Sequence, residues 1–252
     1  MIQSPTYALR LARDDSDVLA AQRLRYRVFV QELGGDGPLV DHDRRLERDA
    51  FDAVADHLLL IDPLRPKGDD VVGVYRLLGA GPGGRFYSDA EYDLTPLRQS
   101  GRRLLELGRS CLDPAYRGGT ALYQLWHGLA DYIATRQIEV LFGVASFHGT
   151  DLQALAQPLS YLHRHHLAPL DLRVRARAFA PMDLLPPGRI DRRLAMLQTP
   201  ALIKAYLRLG GKVGDGAFVD QAFNTVDVCL VLDLALLNDR QKQLYTKPGR
   251  GG

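Results

Sequence analysis

Runs of apolar and polar positions divide the 252-residue chain into strand-like and helix-like segments. Short runs that are apolar throughout, or that alternate with a period of two, predict strands at residues 7–12, 57–61, 71–78, 103–112, 139–147, 172–180 and 227–232. Apolar residues at helical spacing predict helices at residues 18–29, 120–133, 151–166, 190–197 and 200–209. Strands that alternate with helices in this order indicate a mixed α/β (α+β) chain built around one sheet.

The segments between the predicted elements argue for one domain. None has the composition of an interdomain linker, so we expect a single domain over residues 1–246 and a disordered tail at 247–252. A long irregular loop follows the first helix, and residues 36–62 hold eight acidic residues against three arginines. A loop of this length is usually functional. It either binds a cationic substrate or forms a solvated, charged surface.

Charge is distributed unevenly along the chain. The formal net charge of +2 excludes nucleic-acid binding by bulk charge, and the basic strand at 172–180 has no interleaved aromatic residues. Residues 161–212 nevertheless carry ten Lys and Arg against three Asp, which suits an acidic protein partner or anionic lipid headgroups. The predicted helix at 200–209 has the apolar and basic pattern of a membrane-surface helix, although a core-facing helix shares that pattern.

The cysteines and the N-terminus indicate the compartment. Cys111 and Cys229 lie inside apolar runs, which favours buried, reduced thiols in a cytoplasmic protein. Residues 1–5 do not begin a signal peptide, and no apolar run approaches the roughly 20 residues that span a bilayer. We therefore expect a cytoplasmic protein, with peripheral membrane contact left open.

Residues 104–120 hold the most informative chemistry. Glu106 and Arg109 are set into an apolar strand, and Arg117 precedes two glycines and a helix. Unpaired N–H groups at a helix start, approached over glycines and assisted by an arginine, can grip a phosphate, although a plain tight turn has the same pattern. A partly buried carboxylate at residue 106 can serve as a general base or belong to a structural ion pair.

Strand geometry places residues 106 and 109 on opposite faces of the sheet unless a β-bulge intervenes. Gly108 lies between them and is the expected place for such a bulge.

His163 and His166 lie one helical turn apart, but no Cys or carboxylate accompanies them at ligand spacing. The sequence therefore predicts no metal site. Ser110-Cys111 lacks a nucleophile-elbow pattern, which argues against hydrolase chemistry.

Seven segments, in order, carry a resemblance to a known family. They are residues 25–34, 51–59, 74–78, the Glu106-Leu107-Gly108-Arg109-Ser110-Cys111 block, Tyr116-Arg117-Gly118-Gly119, residues 143–147 and residues 206–229. Together they resemble the ornithine-lipid N-acyltransferases, GNAT-like enzymes that are related to acyl-homoserine-lactone synthases. The resemblance implies a GNAT-like fold with a mixed central sheet flanked by helices, in which residues 161–246 form a C-terminal extension.

The resemblance also implies a reaction. Such enzymes move a 3-hydroxyacyl chain from acyl carrier protein to the α-amine of ornithine and form lyso-ornithine lipid. No cofactor would be bound permanently, because the acyl-phosphopantetheine of the carrier is a co-substrate. The implied partners are acyl carrier protein, ornithine and the inner membrane surface.

Site residues follow from the matching positions. Glu106 would be the catalytic base, and the substrate would contact Arg25, Phe29, Asp52, Arg76, Arg109, Ser146 and Phe147. The phosphopantetheine and acyl chain would lie against Ser110, Cys111, Leu112, Arg117, Gly118, Gly119 and Thr120. Thr120 stands where the usual acetyltransferase turn has a glycine, which suits a carrier-protein phosphopantetheine better than the pyrophosphate of coenzyme A.

The roles remain open at two points. Arg25, Arg76 or Arg109 would hold the ornithine carboxylate, and Asp52 or another acid of the loop would hold its side-chain ammonium. Two other functions are open as well. One is an autoinducer synthase that uses S-adenosylmethionine, and the other is a non-catalytic module that binds acyl carrier protein or lipid.

Overall fold

The computed structural model describes residues 7–80, 82–118 and 120–238. These residues form two compact units, the first made of residues 7–83 and 107–137 and the second of residues 84–106 and 138–238. The change from one unit to the other falls within one strand, at residues 106 and 107. The single domain over residues 1–246 stays a prediction, and the tail at 247–252 lies outside the described residues.

The elements are numbered in chain order. The strands are β1 (Ala8–Leu11), β2 (Asp56–Ile61), β3 (Val71–Leu78), β4 (Tyr92–Asp93), β5 (Leu104–Leu112), β6 (Val140–His148), β7 (Arg175–Ala176), β8 (Lys212–Val213), β9 (Phe218–Asp220) and β10 (Thr225–Asp233). The α-helices are α1 (Asp15–Arg25), α2 (Thr95–Gln99), α3 (Ala121–Arg136), α4 (Ala156–His166), α5 (Arg192–Gln198) and α6 (Ala201–Arg208), and a π-helix (Tyr26–Glu32) continues α1.

In the first unit a hairpin of β2 and β3 packs against α1. The hairpin is antiparallel, as predicted, and β1 pairs antiparallel with β2 on its other edge. Asp14 caps α1 by accepting a hydrogen bond from the backbone N–H of Asp17 at 3.0 Å, which satisfies one of the unpaired donors of the first turn. The core of this unit includes Leu24, Leu59 and Val74.

In the second unit the sheet is mixed. The first residues of β5 pair parallel with β6, and β6 pairs antiparallel with β10 along its full length. β10 also pairs with β8 and β9. The mixed central sheet that was predicted is thus confirmed. β10 is buried from Val226 to Leu232 and mostly apolar there, whereas β6 is exposed at Ser146 and His148.

The strand predicted at residues 172–180 is wrong. Only β7 forms there, paired with β4. The backbone N–H groups of Ala176 and Ala180 donate to the carbonyl oxygens of Asp215 and Ala217 in one neighbouring segment, and that of Arg177 donates to Glu91 in another. The bridges to the first of these segments are parallel at Asp215 and antiparallel at Ala217, so the alternating pattern does not extend into a regular ladder.

Both cysteines are free and buried, as predicted. Burial raises the pKa of the Cys111 thiol to about 12, so this thiol is not a nucleophile at neutral pH. None of the helices in the part of the chain that the structure describes is long and apolar enough to cross a bilayer.

Candidate active site

Three arginines of the first unit are drawn into its interior from three different elements. The side chains of Arg25 at the end of α1, Arg76 on β3 and Arg109 on β5 are 0%, 2% and 12% exposed. A guanidinium cation can be buried only with compensating charge. The acidic loop before β2 supplies three carboxylates, those of Glu47, Asp49 and Asp52.

These six side chains form a closed ring, which we call the charge ring. Each carboxylate bridges two arginines and each arginine bridges two carboxylates, so the formal charges sum to zero. The contacts are Arg25 Nε to Glu47 Oε2 at 2.5 Å, Arg25 Nη1 to Asp52 Oδ1 at 2.7 Å, Arg76 Nη1 to Asp52 Oδ1 at 3.2 Å and to Asp49 Oδ2 at 2.5 Å, Arg109 Nη2 to Asp49 Oδ2 at 3.0 Å, and Arg109 Nε to Glu47 Oε1 at 3.0 Å.

Electrostatics keep the three carboxylates of the charge ring ionised. Burial alone would raise the pKa of Asp52, but its contact with Arg25 and the nearby Arg76 outweigh burial and lower that pKa to about 2. Burial likewise opposes ionisation of Glu47 and Asp49, yet the neighbouring guanidinium groups hold the pKa of each below its ordinary value. The ring is therefore fully charged at neutral pH.

Stability is expected to fall in acid because of this ring. A carboxyl group with a depressed folded-state pKa contributes stability above its ordinary pKa, and that contribution is lost as the pH falls through the folded value. For Asp52 that window runs from its ordinary 3.8 down to about 2. We expect the unfolding free energy from urea titrations to drop over this window, and to drop less in Asp52→Asn. Identical acid slopes in the two proteins would contradict the expectation.

Two neutral side chains fix the position of Asp52. Gln22 Nε2 donates to Asp52 Oδ2 at 2.9 Å, and His57 Nε2 lies 3.0 Å from the backbone oxygen of Asp52. Burial lowers the pKa of His57, so its imidazole is neutral and donates from Nε2 to that carbonyl. Asp52 is thus contacted by hydrogen-bond donors of the protein itself. Its role in holding the ornithine ammonium stays a prediction.

The backbone of β5 is irregular where the sequence suggested a bulge. The predicted position is Gly108, and the structure shows the irregularity one residue later, at Arg109, whose φ is +51°. A non-glycine residue in the left-handed region is uncommon and carries strain. This conformation interrupts the strict alternation of side chains along β5 and orients the Arg109 guanidinium into the charge ring.

Glu106 lies in the second unit, where it is 3% exposed. The backbone N–H groups of Tyr87 and Ser88 each donate to its carboxylate at 2.7 Å, and the hydroxyl of Ser88 donates as well. These donors stand at the start of a single 3₁₀ turn, Tyr87–Ala90. They favour the ionised carboxylate, which is the form that a proton acceptor requires.

The turn before α3 has the features of an anion site. Thr120 is the N-cap residue but its side chain makes no capping hydrogen bond, and the first turn of α3 holds no acidic residue. Gly118 has a φ of +79°. Arg117 forms a two-pronged contact with Glu32, at 2.6 and 2.7 Å, rather than pointing to open space. Gly119 lies outside the described residues.

The other predicted site residues divide between core and surface. Cys111 and Phe147 are 7% and 1% exposed, so their side chains belong to the interior, and their contacts with a ligand stay a prediction. Phe29 is partly buried against the core of the first unit. Ser110 and Leu112 are half-buried, and Ser146 is exposed on β6.

A second acidic cluster escaped sequence reasoning. One carboxylate oxygen from each of Glu91, Asp220 and Asp227 lies within 4.8 Å of the others in the second unit. Ser146 pairs with Asp227 across β6 and β10. Glu91 is far from the other two acids in sequence, whereas Asp220 and Asp227 lie seven positions apart on the paired strands β9 and β10. The absence of a metal from the chemistry stays a prediction.

Comparison with known proteins identifies relatives over nearly the whole chain. Residues 24–127 match the model of an acetyltransferase (GNAT) domain. The chain is 59% identical to "L-ornithine N(alpha)-acyltransferase" of Rhodobacter capsulatus over 98% of each protein, and 40% identical to the Brucella abortus protein of the same name over 94% of this chain and 88% of that one. The structure of the AHL synthase LasI shares the fold, with a TM-score of 0.52 and 15% identity over 96% of this chain and 95% of the other.

Proposed function

The chain belongs to the L-ornithine N(alpha)-acyltransferase family, and we propose that it transfers a 3-hydroxyacyl chain from acyl carrier protein to the α-amine of ornithine. The product is lyso-ornithine lipid, an intermediate of ornithine lipid biosynthesis. The observation that carries this proposal is the near full-length identity with enzymes named for acylation of that amine. Acyl carrier protein as the donor follows from the family resemblance, and Thr120 in place of a glycine before α3 suits its single phosphate better than the pyrophosphate of coenzyme A.

The donor phosphate would lie at the N-terminus of α3. The backbone N–H groups there have no side-chain cap, and the helix macrodipole favours an anion at this end. Arg117 would supply a charge-assisted contact after it leaves Glu32. Because the side chains of Arg117 and Glu32 are 42% and 36% exposed, exchanging that carboxylate for a phosphate costs little.

Variants of this ion pair test the phosphate contact. Arg117→Ala removes the proposed contact and is expected to raise the KM for the acylated carrier by about tenfold with little change in kcat. Glu32→Gln frees Arg117 from its competing partner and should lower that KM. Steady-state assays of carrier thiol release measure both values. Equal KM values in both variants and the wild type would exclude Arg117 from donor binding.

The acceptor would be held by Arg109 and deprotonated by Glu106. Among the three buried arginines, Arg109 is the most exposed, with 12% of its side chain accessible, so we assign the ornithine carboxylate to it. An ammonium group has no lone pair, and Glu106 would take its proton directly or through one water. Backbone N–H groups near Ser110 and Leu112 would polarise the thioester carbonyl.

Product analysis separates this reaction from the alternatives. The protein would be incubated with 3-hydroxyacyl carrier protein and ornithine, and then with S-adenosylmethionine in place of ornithine. Mass spectrometry should find N-acylated ornithine in the first mixture and no lactone in the second. Lactone formation would favour an autoinducer synthase, which is the activity named for the structural relative LasI. Carrier binding without thioester loss would favour a non-catalytic module.

The product has one long chain and a charged head, and such a molecule partitions into bilayers. We therefore place the enzyme in the cytoplasm in peripheral contact with the inner membrane.

A further inference from the structure

Helix α5 exposes its apolar side chains instead of burying them. Leu194 and Leu197 are 40% and 77% exposed, whereas Ala195 is fully buried. Residues three apart lie on the same side of a helix, so the two leucines form one outward-facing apolar pair. A pair of adjacent exposed leucines on a helix is a candidate contact surface.

The helix is fixed in this orientation at both ends. Asp191 caps its start by accepting hydrogen bonds from the backbone N–H groups of Arg193 and Leu194, at 2.8 and 3.1 Å. Gln157 of α4 accepts from the backbone N–H of Asp191 at 2.8 Å. At the other end, Lys204 of α6 donates to the carbonyl of Met196 at 3.3 Å. The leucines are therefore exposed on a helix whose two ends are fixed by hydrogen bonds.

The chain segments beside the two leucines carry an excess of positive charge. The exposed arginines near them in the chain, and on the helix that packs against α5, are Arg164, Arg189, Arg192 and Arg193. None of these four forms an ion pair with another residue that the structure describes, although Arg98, Arg102 and Arg175 of the same unit all do. The carboxylate of Asp191 accepts the cap hydrogen bonds and keeps its negative charge, so these four arginines and Asp191 together carry a net charge of +3.

The neighbouring helix α6 does not share this arrangement. Its Ile203 and Tyr206 are buried, and the helix packs beside β10. The core-facing interpretation of residues 200–209 is therefore the right one. Of the exposed large apolar side chains in the basic segment 161–212, which are Leu170, Phe179, Leu194 and Leu197, the last two lie together on α5. The pattern of α6 had suggested membrane seating, but its apolar face is already covered by its own unit.

We propose that the α5 face, formed by Leu194, Leu197 and Arg193, docks the protein on an anionic lipid bilayer, with Arg164, Arg189 and Arg192 close by in the chain or on α4. The leucines enter the interface between headgroups and acyl chains, and the arginines contact lipid phosphates. An apolar pair with an excess of positive charge beside it matches a negative surface with an apolar layer beneath it. The proposal rests on the proposed function, because a lipid product gives the enzyme a reason to work at a bilayer.

Vesicle flotation tests the surface without using the reaction. Wild-type protein should float with phosphatidylglycerol vesicles and not with phosphatidylcholine vesicles. Leu194→Gln/Leu197→Gln and Arg192→Gln/Arg193→Gln should each lower the partition coefficient on phosphatidylglycerol roughly tenfold. Leu64→Gln is the matched control, since Leu64 is 86% exposed in the first unit, and it should float like the wild type. Circular dichroism confirms that all variants are folded.

Three outcomes would overturn the proposal. Wild-type protein that does not float with either vesicle has no such surface. Equal losses in Leu64→Gln and in the α5 variants would show that the effect is not specific to α5. Arginine variants that float normally but no longer bind acyl carrier protein in calorimetry would assign the face to a protein partner. No substrate is present during flotation. A result that overturns membrane docking therefore does not bear on the acyl-transfer reaction, which is tested by its products.

Discussion

Glu106→Gln is expected to lower kcat by about 10²–10⁴-fold while leaving carrier-protein binding nearly intact. Glutamine keeps the size of the side chain and loses the basic oxygen pair. The three donors from Tyr87 and Ser88 fix the buried carboxylate in place and favour its ionised form. A fixed, ionised carboxylate is what proton abstraction from the incoming amine requires. Stopped assays of carrier thiol release over pH 6–9 would measure the effect.

Ser88→Ala provides the matched control for this prediction. It removes the hydroxyl donor and leaves the carboxylate with both backbone N–H groups. We expect it to change kcat only several-fold, because the proton acceptor is still present. Equilibrium binding of acylated carrier protein to both variants shows whether the donor site is preserved. Turnover of Glu106→Gln that equals wild-type turnover at every pH would refute the assignment of Glu106 as the base.

The sequence pattern predicted long elements well because their periodicity is repeated over many residues. The hairpin of β2 and β3, the helix α3 and the strand β10 lie close to their predicted positions. Two-residue strands such as β4 and β8 were not predicted, since two residues carry no period. The 172–180 segment shows the converse error, because a clear alternation does not reveal whether a neighbouring strand is available.

Resemblance singled out the arginines of the charge ring but not what surrounds them. Arg25, Arg76 and Arg109 were each assigned to substrate from matching positions, whereas Glu47 and Asp49 were no more than members of an acidic loop. Arg109 and Glu47 are separated by 62 positions, and no local pattern links a loop carboxylate to a strand arginine at that distance. Their pairing follows from the burial of three cations, which becomes evident only when the fold brings them together.

Glu47→Gln is expected to destabilise the protein by about 3–5 kcal/mol. The substitution keeps the shape of the side chain and removes one negative charge from the charge ring, so the buried groups are left with a net charge of +1. Glu47 is 1% exposed and bridges Arg25 and Arg109, and water cannot replace the lost charge there. Urea denaturation at pH 7 measures the change in the free energy of unfolding. The dependence of that free energy on urea concentration is compared between the variant and the wild type.

Glu32→Gln is the same substitution in an exposed pair and serves as the control. Glu32 also contacts one arginine through both oxygens, but exposed pairs of this kind contribute only about 0–1 kcal/mol. A closed ring further predicts coupling between its members. Glu47→Gln combined with Arg109→Gln should cost less than the sum of the two single changes, because the double variant restores a neutral set of buried charges. Strictly additive losses would mean that Glu47 and Arg109 contribute independently to the free energy of unfolding. The members of the charge ring would then be close together without being energetically coupled.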